Sequence, residues 1–165
     1  IMKSRELKYS DIFLLPEYSE INTRSEASTE VTLGANTFKA PIVPANMKAV
    51  IDEKKAKWLS ENNYFYIMHR FGMDPIDFCS KSEGWRVTSI SVGVKNVDKD
   101  HVKLLSSRAC KVDYITVDIA HGHRKLMKDM IAHIKQYLPN TFIIAGNVAT
   151  GRAVLDLADW GADCV

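Results

Sequence analysis

Apolar, β-rich runs recur along the chain, and each ends on its C-terminal side in a small polar cluster: Asn46-Met47, His69-Arg70, Ser91-Val92-Gly93, Asp118 and Gly146-Asn147. Helical segments lie between them. The clearest carries Met127, Met130, Ile131, Ile134 and Leu138 at helical spacing and stops before Pro139-Asn140. A strand followed by a helix, about five times over, predicts a parallel sheet with crossover helices. In such sheets ligands gather at the carboxyl ends of the strands, where the polar clusters fall.

Local signals place the elements. Residues 41–46 are expected as a first core strand, with Pro44 breaking regular pairing just ahead of Asn46. Asp52 can cap a helix running to about Glu61, and 64–68 follow as a second strand. Asp74-Pro75 opens a short helix through Phe78, because proline at the first helical position loses no hydrogen bond. Further strands are expected at 87–92, 114–118 and 142–147, with a helix over 97–107. Thr150 caps a last helix that Gly161 ends, and Cys164-Val165 begins a sixth strand. Residues 3–40 mix short apolar stretches with turn formers and predict a strand-and-loop cap over one end. The whole of 1–165 reads as one α/β domain whose strand–helix repeat is unfinished.

Length and charge narrow the function classes. The 165 residues suit one domain but fall short of the ~250 that a closed eight-stranded barrel typically needs. The 22 basic and 20 acidic residues are interspersed, so there is no electrostatic footprint for nucleic acid. No apolar run approaches the ~20 residues of a membrane helix, and a cytoplasmic location is expected. Cys79, Cys110 and Cys164 are widely spaced without a zinc-type ligand pattern, and are expected as reduced thiols.

Each cluster admits a structural and a functional reading. Met47 is either core packing or a soft, polarisable surface beneath a flat ligand. His69 suits a structural role, whereas Arg70 offers a planar fork of donors for phosphate oxygens. Asp118, close to Gly122, suits the paired hydroxyls of a ribose. His121 and His123 could ligate a metal, but no carboxylate-rich set accompanies them, so no metal is expected; the alternative is that one packs and the other caps or faces solvent. Asn147 can both donate and accept, as a carboxamide or a base edge requires, or it is a loop residue. No contiguous nucleophile motif, GxGxxG or P-loop is present, so any chemistry must be gathered across strands.

Seven stretches resemble the GMP reductase branch of the IMP dehydrogenase/GMP reductase superfamily: 9–16 (YSDIFLLP), 23–26 (TRSE), 41–47 (PIVPANM), 64–71 (YFYIMHRF), 89–94 (SISVGV), 118–123 (DIAHGH) and 145–150 (AGNVAT). Only about twenty residues separate Arg70 from Ser91, too few for the regulatory domain pair usual in the dehydrogenases. The resemblance implies a (β/α)8 TIM barrel, here about the first five units plus the start of strand six, and reduction of GMP to IMP by NADPH with release of ammonia. It implies that Met47 lies against the purine. Thr23, Arg24, Arg70, Ser91, Val92, Asp118, Ile119 and Ala120 would touch NADPH, with Asn147 near the reacting bases of both ligands.

In that family a cysteine on the loop after strand six attacks the purine. Cys164 falls ahead of that loop, so the nucleophile is expected after Val165 and the 165 residues alone are expected to be inactive. The implied partners are GMP or IMP, the remaining half of the barrel and further copies in a homo-tetramer, with a monovalent cation (K+) at the later loop left open. The alternatives are IMP dehydrogenase, oxidising IMP to XMP with NAD, and a non-catalytic nucleotide-binding module.

Overall fold

The computed structural model describes residues 8–165. Residues 3–7 of the expected N-terminal cap lie outside the described residues. Three parallel strands, β3 (Ser89–Val92), β4 (Tyr114–Asp118) and β5 (Phe142–Gly146), stand side by side in chain order. They follow a small antiparallel hairpin of β1 (Val31–Leu33) and β2 (Asn36–Phe38). Beyond β5, Cys164 pairs in parallel with Ile144, and Ala145 N–H donates to the Cys164 carbonyl at 2.9 Å.

The helices are α1 (Glu53–Glu61), α2 (Pro75–Lys81), α3 (Asn96–Ser107), α4 (Lys125–Tyr137) and α5 (Gly151–Asp159). Their starts follow the capping chemistry. Asp52 accepts from Lys55 N–H at 2.8 Å, Asp74 from Ile76 N–H at 2.8 Å and Thr150 from Ala153 N–H at 3.2 Å. Asp98, in the first turn of α3, accepts the N–H groups of both Gly93 and Lys95, tying the end of β3 to the helix that follows.

The period-two alternation of the strands divides their residues between two faces. Ile90, Val92, Ile115, Val117, Ile143 and Ala145 form one core with Val102 and Leu105 of α3 and Met127, Met130, Ile131 and Ile134 of α4. Full burial of such side chains is worth about 1.5–3 kcal/mol each relative to exposure. The opposite face carries Ser89, Ser91, Tyr114, Thr116, Asp118, Phe142 and Ile144. Its lower part is closed by the hairpin. Tyr114 donates its hydroxyl to the Leu33 carbonyl at 2.7 Å and accepts from Asn36 at 2.8 Å. Gly34, at φ +61°, lies where a Cβ would come within 2.7 Å of the Phe142 ring. The hairpin thus sits at the amino-terminal ends of β4 and β5, away from the polar clusters.

Two expected strands are not ladder strands. Residues 41–46 carry Pro41 and Pro44, which have no N–H to donate. Residues 64–68 run beside β3 but share one backbone bond with it, Met68 N–H to the Ser89 carbonyl at 3.2 Å. Side chains take the groups a ladder would use. The Tyr66 hydroxyl donates to the Val87 carbonyl and accepts from Ser89 N–H, and Ser60 accepts from Val87 N–H at 3.0 Å.

A second device repeats at the amino ends of the strands. Asp113 accepts from Thr88 N–H at 2.7 Å, and Asp163 accepts from Ile143 N–H at 2.8 Å. In both cases an aspartate immediately before one strand fastens the backbone of its predecessor, as a β/α repeat would place it.

Candidate functional site

The carboxyl ends of β3, β4 and β5 and the end of the 64–68 segment meet at one rim. Asn46 donates to Ser91 Oγ at 3.4 Å, and Ser91 Oγ donates to the Met68 carbonyl at 2.6 Å. One hydroxyl therefore joins the ends of three segments that are far apart in sequence. Next to it the Arg70 Nε donates to Asp118 Oδ2 at 3.2 Å across 48 residues. The guanidinium also lies over the Phe71 ring, 4.6 Å from its centre. Among the described residues its two terminal amino groups have no hydrogen-bond partner, so the fork is oriented but not used up.

His69 explains how Arg70 comes to point this way. Buried at the end of its segment, its Nδ1 accepts from Phe71 N–H at 3.2 Å, which turns the chain immediately after it. That bond assigns the proton of the neutral ring to Nε2. Burial lowers its pKa below the ordinary 6.5, Lys48 adds to the effect and Asp52 opposes it. With the folded pKa depressed, the unfolded chain takes up a proton below pH 6.5 that the folded site resists. Stability from this group is present above pH 6.5 and lost as the pH falls toward the folded pKa. His69→Asn, whose carbonyl can replace the Nδ1 acceptor, is expected to flatten that loss. Urea unfolding at pH 7.5 and 5.5 measures it, and an unchanged difference between the two pH values would refute the assignment.

The tips after β4 and β5 are fastened to each other. Gly122 N–H donates to the Asn147 carbonyl at 2.8 Å, and Asn147 N–H reaches the Ile119 carbonyl at 3.5 Å. Beside them is a cleft of about 270 Å³ lined by Ala120, His121, His123, Asn147, Val148, Ala149, Thr150 and Ala153. His121 is exposed, whereas His123 turns inward to Asp156 at 2.8 Å and stacks on Trp160. Asp156 is held below the ordinary carboxylate range, first by Arg152 and then by His123. Among the described residues no group of three His, Cys, Asp or Glu side chains is arranged to hold a metal ion.

The structure thus brings together Arg70, Ser91, Asp118, Ile119, Ala120 and Asn147, with Asn46 beside Ser91. Met47 follows Asn46 on an exposed turn, its side chain 56% accessible, so it is not core packing within these residues. Val92 is different: its side chain is buried in the core, and only its backbone belongs to the rim. Thr23 and Arg24 stand apart. They sit at a short 3-10 turn (Arg24–Glu26), where Thr23 bonds to Glu26 and Ser25, and no hydrogen bond or ion pair among the described residues joins them to the rim. The Asn46–Ser91 and His123–Asp156 bonds were not foreseen, since neither leaves a local pattern in the sequence.

The cysteines lie elsewhere. Cys79 is buried, and burial pushes its thiol up to about 12, which leaves it protonated and inert. A larger cavity of about 570 Å³ lies at the opposite end of the sheet, by Cys110 and Asn36, with its charges already paired as Lys111–Asp113 and Lys135–Asp163. No helix among the described residues is long and apolar enough to cross a membrane.

Parallel strands with helices between them define an α/β protein of the TIM-barrel family, with polar groups assembled on the carboxyl-end rim. Residues 6–165 match the family described as IMP dehydrogenase / GMP reductase domain, and the chain belongs to that family. It is 49% identical over 156 residues to a GMP reductase of Paracidovorax citrulli, a match covering 94% of this chain and 48% of that protein. It is 52% identical over 157 residues to a GMP reductase of Mesoplasma florum, covering 94% of this chain and 49% of the relative. The crystal structure of inosine 5' monophosphate dehydrogenase from Legionella pneumophila superposes with a TM-score of 0.82 at 27% identity, over 96% of this chain and 49% of the other. The chain spans about half the length of the curated relatives it matches.

Proposed function

We propose that the complete protein is an NADPH-dependent GMP reductase, deaminating GMP reductively to IMP with release of ammonia. The observation that carries this reading is the convergence of Arg70, Asp118, Ser91 and Asn147 on one rim, in a chain about half identical to proteins named GMP reductase. In this proposal residues 1–165 are a single domain, about five units of a (β/α)8 barrel with the start of the sixth strand. The hairpin of β1 and β2, at residues 31–38, caps its amino-terminal end. The exposure of Ile42, Val43 and Met47 accords with a surface that the remaining half of the barrel covers.

The groups left unengaged fit a nicotinamide dinucleotide. Arg70 offers its terminal amino groups to a phosphate, and Asp118, with one oxygen free of Arg70, accepts from ribose hydroxyls. Ile119, Ala120, Ser91 and the backbone of Val92 line the same contact. Met47 lies against the purine, and Asn147 presents donor and acceptor to the reacting bases. Thr23 and Arg24 reach the cofactor only from a different placement of their segment, or across to a neighbouring copy in a homo-tetramer. A reduced nicotinamide supplies the hydride. The resemblance implies that the attacking thiol comes from the loop after strand six, after Val165, with Cys164 paired to Ile144 ahead of that loop. A K+ ion at that later loop and a cytoplasmic location complete the proposal.

The test is an assay of the complete polypeptide with GMP plus NADPH against IMP plus NAD. Oxidation of NADPH dependent on GMP, with ammonia formed in equal amount, is the expected result. Turnover only with IMP plus NAD would make the protein an IMP dehydrogenase instead, and turnover with neither pair would leave a nucleotide-binding module.

A further inference from the structure

His123 lies on the connection between β4 and α4, yet its partner is on α5, 33 residues further on. Its Nε2 meets Asp156 Oδ2 at 2.8 Å, and the other carboxylate oxygen of Asp156 is ion-paired with Arg152 Nε at 2.9 Å. The carboxylate is therefore oriented from both sides. The imidazole is further fixed by Trp160, whose ring is stacked on it with centres 5.8 Å apart and planes 28° apart. One residue upstream, Gly122 is bonded to Asn147; three further upstream, Ile119 accepts from the Asn147 N–H.

These contacts form a closed mechanical circuit. The helix after β5 holds His123, His123 continues directly into Gly122, and Gly122 holds the tip of β5 from which that helix starts. Beyond the ladder, without the imidazole the β4 tip is tied to the β5 tip by its two backbone bonds to Asn147, the second of them long at 3.5 Å, while Asp118 keeps Arg70 on its other side. The pair is half-exposed on the histidine side, and such pairs contribute little to global stability. What the circuit supplies is placement.

We propose that His123 is a positioning residue, which through Asp156 sets where Asp118, Ile119, Ala120 and Asn147 stand on the rim. The proposal rests on the reading of those four residues as ligand-facing. It assigns His123 no contact with the reacting atoms and no metal. A displacement of the tip by even part of an ångström weakens several contacts together, which is why the effect exceeds that of one lost surface pair.

The experiment uses the complete polypeptide. His123→Ala is expected to raise the KM for NADPH by roughly tenfold or more, with a melting temperature close to that of the parent. His123→Gln, whose amide can donate to the same carboxylate, is expected to recover most of the loss. Asp156→Ala should match His123→Ala, and the double variant should be no worse than either single one. An unchanged KM in His123→Ala, a failure of His123→Gln to recover, or multiplying effects in the double variant would each overturn the proposal. The amide resonances of Gly122 and Asn147 supply a reading independent of turnover. They should shift in His123→Ala and return in His123→Gln. Should the parent protein not turn over GMP, the proposed reaction fails while these resonances still decide the anchor; no shift in His123→Ala would refute it.

Discussion

Gly122→Ala is expected to cost the complete protein about 1–3 kcal/mol of stability and on the order of a hundredfold in kcat/KM for the proposed reduction of GMP. The added Cβ would lie 2.8 Å from the Gly146 carbonyl oxygen, 2.9 Å from its carbon and 3.1 Å from the Asn147 oxygen. All three are backbone atoms, so no side-chain rotation relieves the overlap. The tips of β4 and β5 must separate, which breaks the Gly122 N–H bond to Asn147 and moves Asn147 and Ala120 together. Chemical denaturation and steady-state kinetics check the two parts. Parent-like stability and kinetics would show that the tips do not need their close approach.

In the proposed reaction, Arg70→Ala is expected to raise the KM for NADPH roughly tenfold to a hundredfold while the KM for GMP stays within about threefold. Hydrogen bonds to charged groups are worth about 1.5–3 kcal/mol, and each 1.4 kcal/mol is about a factor of ten. The substitution removes the anion-facing fork and also strips Asp118 of its cation at 3.2 Å. Arg70→Lys should be intermediate, since it keeps the charge but loses the planar fork and its stacking on Phe71. Equal and unchanged Michaelis constants in Arg70→Ala would make the residue structural. A comparable rise for GMP would shift its contact to the substrate.

The site was legible in outline because strand ends and helix starts leave local marks. Asp52, Asp74 and Thr150 cap helices where capping chemistry predicts, and residues 114–118 are β4. The rule that ligands gather at carboxyl ends then selected Arg70, Asp118 and Asn147 without coordinates. That rule says nothing of which way each side chain turns. Val92 alternates onto the helix-facing side of β3, so its side chain is lost to the core while the neighbouring Ser91 faces the rim.

The expected strand that forms no ladder has an equally particular cause. Residues 64–68 carry the composition of a strand, but Tyr66 and Ser60 spend their hydroxyls on the backbone that would have paired with it. Thr23 and Arg24 are assigned to the cofactor by resemblance alone; Thr23 bonds in the structure to near neighbours in sequence, and the assignment belongs to the proposal.

Taken alone, the order of residues determined the alternation of strand and helix, the caps and the polar character of the strand tips. These depend on contacts a few residues long, on the two-residue period of a strand and on the turn of a helix. Only the tertiary structure decided that Arg70 meets Asp118, that Asn46 meets Ser91, and that His123 is held by Asp156. Those partners are 48, 45 and 33 residues apart, and their distance is set by how the sheet and helices pack rather than by any pattern within reach of one element.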